Sequence, residues 1–153
     1  MRFIADMMLG RLARWLRLYG YDTLYGVEDD DEILRVALAE NRALLTRDSS
    51  LAGRARRLGL KVILLDSNSL EGQIGELKRH GLEFRELFPP NARCPKCNGL
   101  IRPVSKGEVR GKVPESVYQK YDEFYVCETC GQIYWPGRQW REMLRIDERL
   151  RRV

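Results

Sequence analysis

A chain of 153 residues with 44% apolar and 32% charged side chains can bury a core, as one average domain or a small domain plus a staple. It has no run of eighteen apolar residues and no charged start followed by an apolar signal core, so a soluble, unexported, cytoplasmic protein with no membrane partner is expected. The net charge of +5 is uneven: residues 1–90 hold 14 basic and 14 acidic side chains, residues 91–153 hold 13 and 8, a modest bias toward phosphate backbones.

Over the first eighty residues, short apolar runs alternate with amphipathic segments, the pattern of parallel strands joined by helices. Residues 2–5 read as a first strand and 9–19 as a helix. On that helix Leu9, Leu12, Leu16 and Tyr19 share one face, and Arg11, Arg14 and Arg17 cover an opposite, solvated arc. Gly20 ends it as a left-handed cap. Residues 23–25 form a short second strand, and the acidic run 28–32 opens a helix reaching about Asn41, its acids suited to the helix dipole. Residues 43–46 are the third strand, 50–58 the third helix and 61–65 the fourth strand. Asn68 with Glu71 reads as a capping box for a fourth helix that Gly81 stops. The prolines of FPPNARC then break the periodicity and mark a boundary. The division is an α/β domain over residues 1–88 and, over 89–153, a smaller unit with short strands and a final amphipathic helix near 138–152.

Four cysteines stand in two Cys-x-x-Cys pairs, Cys94 with Cys97 and Cys127 with Cys130, separated by 29 residues. Two such turns can close a tetrahedral four-thiolate shell, and Asn98, Gly99 and Gly131 follow them where a left-handed residue relaxes the turn. A structural zinc ribbon is the leading reading. A closed shell leaves no position for chemistry, and four thiolates on one dication would subtract two charges from the basic part. A redox pair, two disulfides and an iron site are the alternatives. Trp135 and Trp140 read as packing between ribbon and final helix, with base stacking the other role open to them.

Several acids follow strand ends, and in an open parallel sheet all such ends lie on one edge, where ligands bind. Asp6 ends the first strand, Asp48 follows the third, and Asp66 follows the fourth. Asp30 and Asp31 open the helix after the second. Converging carboxylates repel unless protons or cations intervene, so the set suits Mg²⁺ or Mn²⁺ and a phosphodiesterase design. Arg11, Arg14 and Arg47 would hold the flanking phosphates. Taken singly, each of Asp6, Asp30, Asp48 and Asp66 reads first as a helix cap. For Asp48 that explanation is weakened, because Ser49 and Ser50 can start the next helix. His80 sits at a helix end, and neither a phosphate-binding glycine loop nor a Ser-His-Asp set can be assembled, so no small organic cofactor is expected.

The segments FIADMMLGRLARWLRLYGYDT, DDDEILRVALAENRALLTRD, CPKCNG and CETCGQIYWPGRQW together resemble the Mut-seven C-terminal domain family of PIN-like ribonucleases, over nearly the whole chain. The resemblance implies a PIN-like α/β fold of parallel sheet and flanking helices, a divalent-metal ribonuclease site and a C-terminal zinc ribbon. It carries metal-binding roles onto Asp6 and Asp48, with Asp30 or Asp31 as the third acid. Of the further acids usual in that fold, Glu40 is poorly placed on its helix and Asp66 would be a fourth. The expected function is therefore metal-dependent cleavage of RNA, with the ribbon and arginines positioning its backbone. A non-catalytic nucleic-acid or protein adaptor is the runner-up, and a thiol-disulfide enzyme the third reading. Whether a protein partner exists is left open.

Overall fold

The computed structural model describes residues 1–153 apart from Phe88 and Pro90. The predicted boundary at residue 88 therefore falls on Phe88, outside the described residues. Strands β1 (Phe3–Ala5), β2 (Thr23–Leu24), β3 (Ala43–Thr46) and β4 (Val62–Leu64) form a parallel sheet in the order β2-β1-β3-β4. Phe3 stands opposite Thr23 on one side and Ala43 on the other.

Both faces of this sheet are covered, which is why its strands read as continuous apolar runs. Successive side chains point to opposite faces. Phe3, Ala5, Ala43, Leu45 and Ile63 enter one core with residues of α1 (Gly10–Leu18) and α4 (Leu70–Arg79). Ile4 and Leu44 enter a second core with Ile33, Leu34 and Ala37 of α2 (Asp30–Glu40) and with Leu51 and Ala55 of α3 (Ser49–Arg57). The expected α/β class with helices on both faces is what forms.

Local differences from the sequence expectation have local causes. The first helix is preceded by a 3-10 turn, Met7–Leu9, capped by the carboxylate of Asp6. Arg17, expected in solvent, is buried at 7% exposure. Ser69, not Asn68, caps α4 by accepting from the Gly72 N–H. Gly20 has φ +88°, and a Cβ there would lie 2.5 Å from the carbonyl oxygen of Asn91, so both backbone angle and space require glycine.

A second, antiparallel sheet has the order β5-β6-β7, from β5 (Ile101–Val104), β6 (Phe124–Cys127) and β7 (Ile133–Tyr134), with the short helix α5 (Glu115–Lys120) between β5 and β6. The last helix, α6 (Arg138–Arg151), returns to the first core. Its Leu150 is fully buried there, with Trp140, Met143 and Ile146 packed against the same cluster at helical spacing. Tyr19 donates from its hydroxyl to Asp147 at 2.6 Å, and Arg151 donates from Nε to both oxygens of that carboxylate at 3.0 Å. Among the described residues no helix is long and apolar enough to cross a membrane.

Leu150→Ala tests how α6 is held. Removing a fully buried leucine is expected to cost about 2–5 kcal/mol in urea unfolding, whereas a loss below about 0.5 kcal/mol, the scale of a surface change, would mean that α6 does not seal the core.

Candidate functional site

The connection from β1 to β2 runs to one side of β1, and the next strand, β3, lies on its other side. The order reverses between β1 and β3, and outside the carboxyl ends of such a pair a crevice opens where ligands of open α/β sheets bind. Asp6 follows β1, and its backbone N–H donates to the Leu45 carbonyl at 3.1 Å. Its carboxylate is 6% exposed and accepts from the Met8 N–H at 3.0 Å and from the Thr46 hydroxyl. The same hydroxyl oxygen accepts the Asp48 backbone N–H at 3.0 Å. Thr46, fully buried at the end of β3, thus ties the two acids to one crevice.

Asp48 is exposed and is itself the cap of α3, its Oδ1 accepting from Ser50 and Leu51 N–H at 2.9 and 3.2 Å. The expectation that Ser49 and Ser50 would free it from capping is corrected: a carboxylate reaches both N–H groups and also complements the helix dipole. Neither Asp6 nor Asp48 forms an ion pair among the described residues. Asp30 and Asp31 open α2 and are exposed, with Asp31 paired to Arg54 of α3. No three carboxylates meet within 4.8 Å of one another among the described residues. The structure therefore joins Asp6 with Asp48 but does not draw Asp30 or Asp31 into a tight cluster with them. Asp66 is exposed beyond β4, its backbone N–H bonded to Glu76, and Glu40 pairs with Arg2 and Arg42.

Arg11 and Arg14 project from α1 and are exposed. Arg47 donates from Nη2 to the Asp66 carbonyl at 3.2 Å, while its buried Nε has no hydrogen-bond partner among the described residues. Thr46 escapes sequence reading because a threonine closing a β-strand is ordinary. Its only signal is a hydroxyl in an apolar run that ends between two acids.

The cysteines form the one group of three or more candidate metal ligands with all ligand atoms within 4.8 Å of each other among the described residues. Cys94 and Cys130 sulfurs are 3.8 Å apart and those of Cys97 and Cys127 3.4 Å, far beyond a disulfide bond and close to the roughly 3.8 Å between ligands of a tetrahedral zinc tetrathiolate. Soft sulfur donors in this number and spacing fit zinc. Asn98 (φ 72°) and Gly131 (φ 77°) take the left-handed conformation after each turn. Gly99 is required for space, since a Cβ would lie 2.7 Å from the Cys127 sulfur.

Burial, and then the hydrogen bonds around the sulfurs, set their proton affinities. Burial pushes Cys94 up, and burial with the neighbouring thiols pushes Cys97 up to about 12. At Cys127 burial acts upward too, but the N–H groups of Cys130 and Thr129, each 3.4 Å from its sulfur, outweigh it and bring it down to about 7. The Tyr134 hydroxyl lies 3.0 Å from the Cys94 sulfur. A bound dication would replace the protons that this crowding otherwise retains.

The first cysteine turn is fastened to the parallel sheet by charged hydrogen bonds. Arg17 donates from Nε to Thr23 O at 2.9 Å and from Nη1 to Pro95 O at 3.0 Å. Asn98 accepts the Thr23 N–H at 3.0 Å and donates to Asp22 at 2.7 Å, and Arg42 holds the same carboxylate at 2.7 Å. Partial burial raises the Asp22 pKa, but the bonds from Arg42 and Asn98 prevail and bring it down to about 2.

An open α/β sheet with paired acids at its switch point and a four-cysteine module beside it defines an α/β protein with an appended metal-binding unit. The model of one family, the Mut7-C RNAse domain, matches residues 1–147, and the chain belongs to that family. Neither the curated proteins nor the solved structures searched gave a match.

Purified protein is expected to carry one zinc per chain by elemental analysis, and Cys127→Ser to lose it with a lowered melting temperature. Zinc-free protein with four titratable thiols and unchanged melting would contradict the assignment. Asp22 supplies a pH test. Its folded pKa lies below the ordinary 3.8, so its stabilisation is complete above pH 3.8 and is lost as pH falls toward 2. Asp22→Asn should lack this dependence. The stability difference between wild type and variant over that window, in which acid release of a thiolate-bound metal cancels, should shrink as pH drops.

Proposed function

We propose that this chain is a cytoplasmic, divalent-cation-dependent ribonuclease that hydrolyses RNA phosphodiester bonds at the crevice between β1 and β3. The observation that carries the reading is the acid pair. A buried Asp6 is joined through Thr46 to an exposed Asp48 at the switch point, neither forms an ion pair with a cationic side chain among the described residues, and the chain belongs to an RNAse domain family. A buried carboxylate without an ion-pair partner relies on its hydrogen bonds to offset desolvation, and a cation beside it would add to that balance.

Two carboxylates with water and substrate oxygens are the usual hard-donor set for Mg²⁺ or Mn²⁺, and Asp48 Oδ2 accepts no hydrogen bond among the described residues. Such an ion, when bound, acidifies water and neutralises charge on the phosphoryl oxygens. Asp6 and Asp48 would hold it, with their orientation fixed by Thr46 and by the two helix starts they cap. Asp30 is the third acid in this reading, because Asp31 is held by Arg54. Arg11, Arg14 and Arg47 would grip the flanking phosphates. The zinc unit is structural in this scheme and lends its basic surface to RNA. Its cysteines, which form no disulfide, suit a reducing compartment.

A non-catalytic adaptor is the second reading, favoured by one fact: Asp6 and Asp48 both serve as caps, as they would in a scaffold. Cleavage of single-stranded RNA with Mn²⁺ or Mg²⁺ separates the two. The Asp6→Asn, Asp48→Asn double variant is expected to fall to background, and Thr46→Ala, which loosens the acids without removing them, to lose about 10–100-fold. Equal activity in wild type and double variant would refute the ribonuclease reading, and RNA binding without turnover in either would favour the adaptor.

A further inference from the structure

A cleft of about 500 Å³ opens between α1, the second sheet and the start of α6, inside the range of roughly 300–1,000 Å³ that small-ligand sites occupy. Tyr121, Tyr134, Trp135 and Trp140 line it. Arg14 of α1 and Arg138 of α6 line it too; both are exposed, and neither makes an ion pair or a side-chain hydrogen bond among the described residues. No Asp or Glu is among the lining residues. The Trp135 indole packs close against the backbone at Gly137, where a Cβ would lie 2.8 Å from its nitrogen.

Apolar aromatic surface and two uncompensated guanidinium groups, with no acid, form a recognisable combination. A hydrophobic peptide would leave the cations unused, and a duplex keeps its bases stacked inside. An unpaired nucleobase offers a π-face to the aromatics and adjoining phosphates to the arginines. The location adds a second argument. Arg11 and Arg14 are three residues apart on the exposed side of α1, about 4.5 Å along its axis, and α1 begins four residues after Asp6. A strand lying along this helix would run from the cleft to the acid pair.

We propose that the cleft is a base-binding subsite for single-stranded RNA, holding an unpaired base among Tyr134, Trp135 and Trp140 while Arg14 and Arg138 take the flanking phosphates. The proposal rests on the ribonuclease reading for the identity of its ligand and on the cleft alone for its geometry.

The test is anisotropy of a short fluorescein-labelled single-stranded RNA titrated with the full chain in the absence of divalent cations, so that binding is read apart from cleavage. Arg14→Gln combined with Arg138→Gln, two surface changes that leave the fold alone, is expected to weaken binding roughly tenfold, and Trp135→Leu by a similar factor. The same RNA annealed to its complement should compete poorly. Unchanged affinity in both variants, while Asp6→Asn with Asp48→Asn still abolishes cleavage, would overturn the subsite and leave the ribonuclease standing. Affinity lost in both variants of a wild type that never cuts RNA would support the subsite and overturn the ribonuclease. Absence of RNA binding by the wild type would overturn the subsite outright.

Discussion

Arg17 leaves α1 with its guanidinium buried between two backbone carbonyls, Thr23 O on the parallel sheet and Pro95 O inside the first cysteine turn. Burial lowers its pKa, and the nearby sulfurs of Cys97 and Cys94 with Asp22 act in the opposite sense and favour its charge. One cation therefore satisfies two carbonyls and faces a sulfur cluster that would carry net negative charge around a dication. The second sheet and the approach to α6 take their position from this joint. The bond from the Arg93 N–H to the carbonyl of Arg17 itself, 2.8 Å, closes it from the other side.

At the opposite end of α1 a smaller group does comparable work. The Thr46 hydroxyl donates to a buried carboxylate after β1 and accepts from the backbone N–H of the acid that follows β3, so one oxygen links the ends of two strands. Parallel topology brings Asp6 and Asp48 to the same edge, and the hydroxyl sets how they stand relative to one another. In the proposed reading the four-cysteine unit would be closed by its own ligands, contributing geometry and charge, while the acid pair would leave coordination positions for water and substrate. Structural and chemical duties would thus be divided between sulfur and oxygen donors.

The strands were readable because residues such as Ile4, Leu44 and Leu45 are apolar on both sides of a doubly covered sheet, and β3 falls on residues 43–46 as its run of apolar residues predicts. The cysteine cluster was readable from spacing alone, and the family resemblance agrees with the match over residues 1–147. Arg17 was not, because helical periodicity says which arc of a helix faces away from its own core but not that another unit will cover that arc. The cap of α3 is ambiguous in the sequence because several residues in RDSS can cap, and only the path of the chain out of β3 selects Asp48. How far the acids converge could not be read at all. That depends on side-chain partners such as Arg54 and Thr46, which lie 23 residues from Asp31 and 40 from Asp6.

The return of α6 to the first core also has a meaning in time. The part of the first core that α6 covers cannot be sealed until residue 150 exists, although the sheet beneath α1 and α4 is encoded within the first 64 residues. At ribosomal rates of about 5–20 residues per second, the stretch from α4 to Leu150 takes on the order of ten seconds to synthesise. For that interval the nascent protein carries an unsealed hydrophobic face, and the intervening cysteine turns emerge before the helix that closes it. If the cysteine turns take up the proposed zinc as they emerge, that capture would fix the segment from which α6 returns to the core.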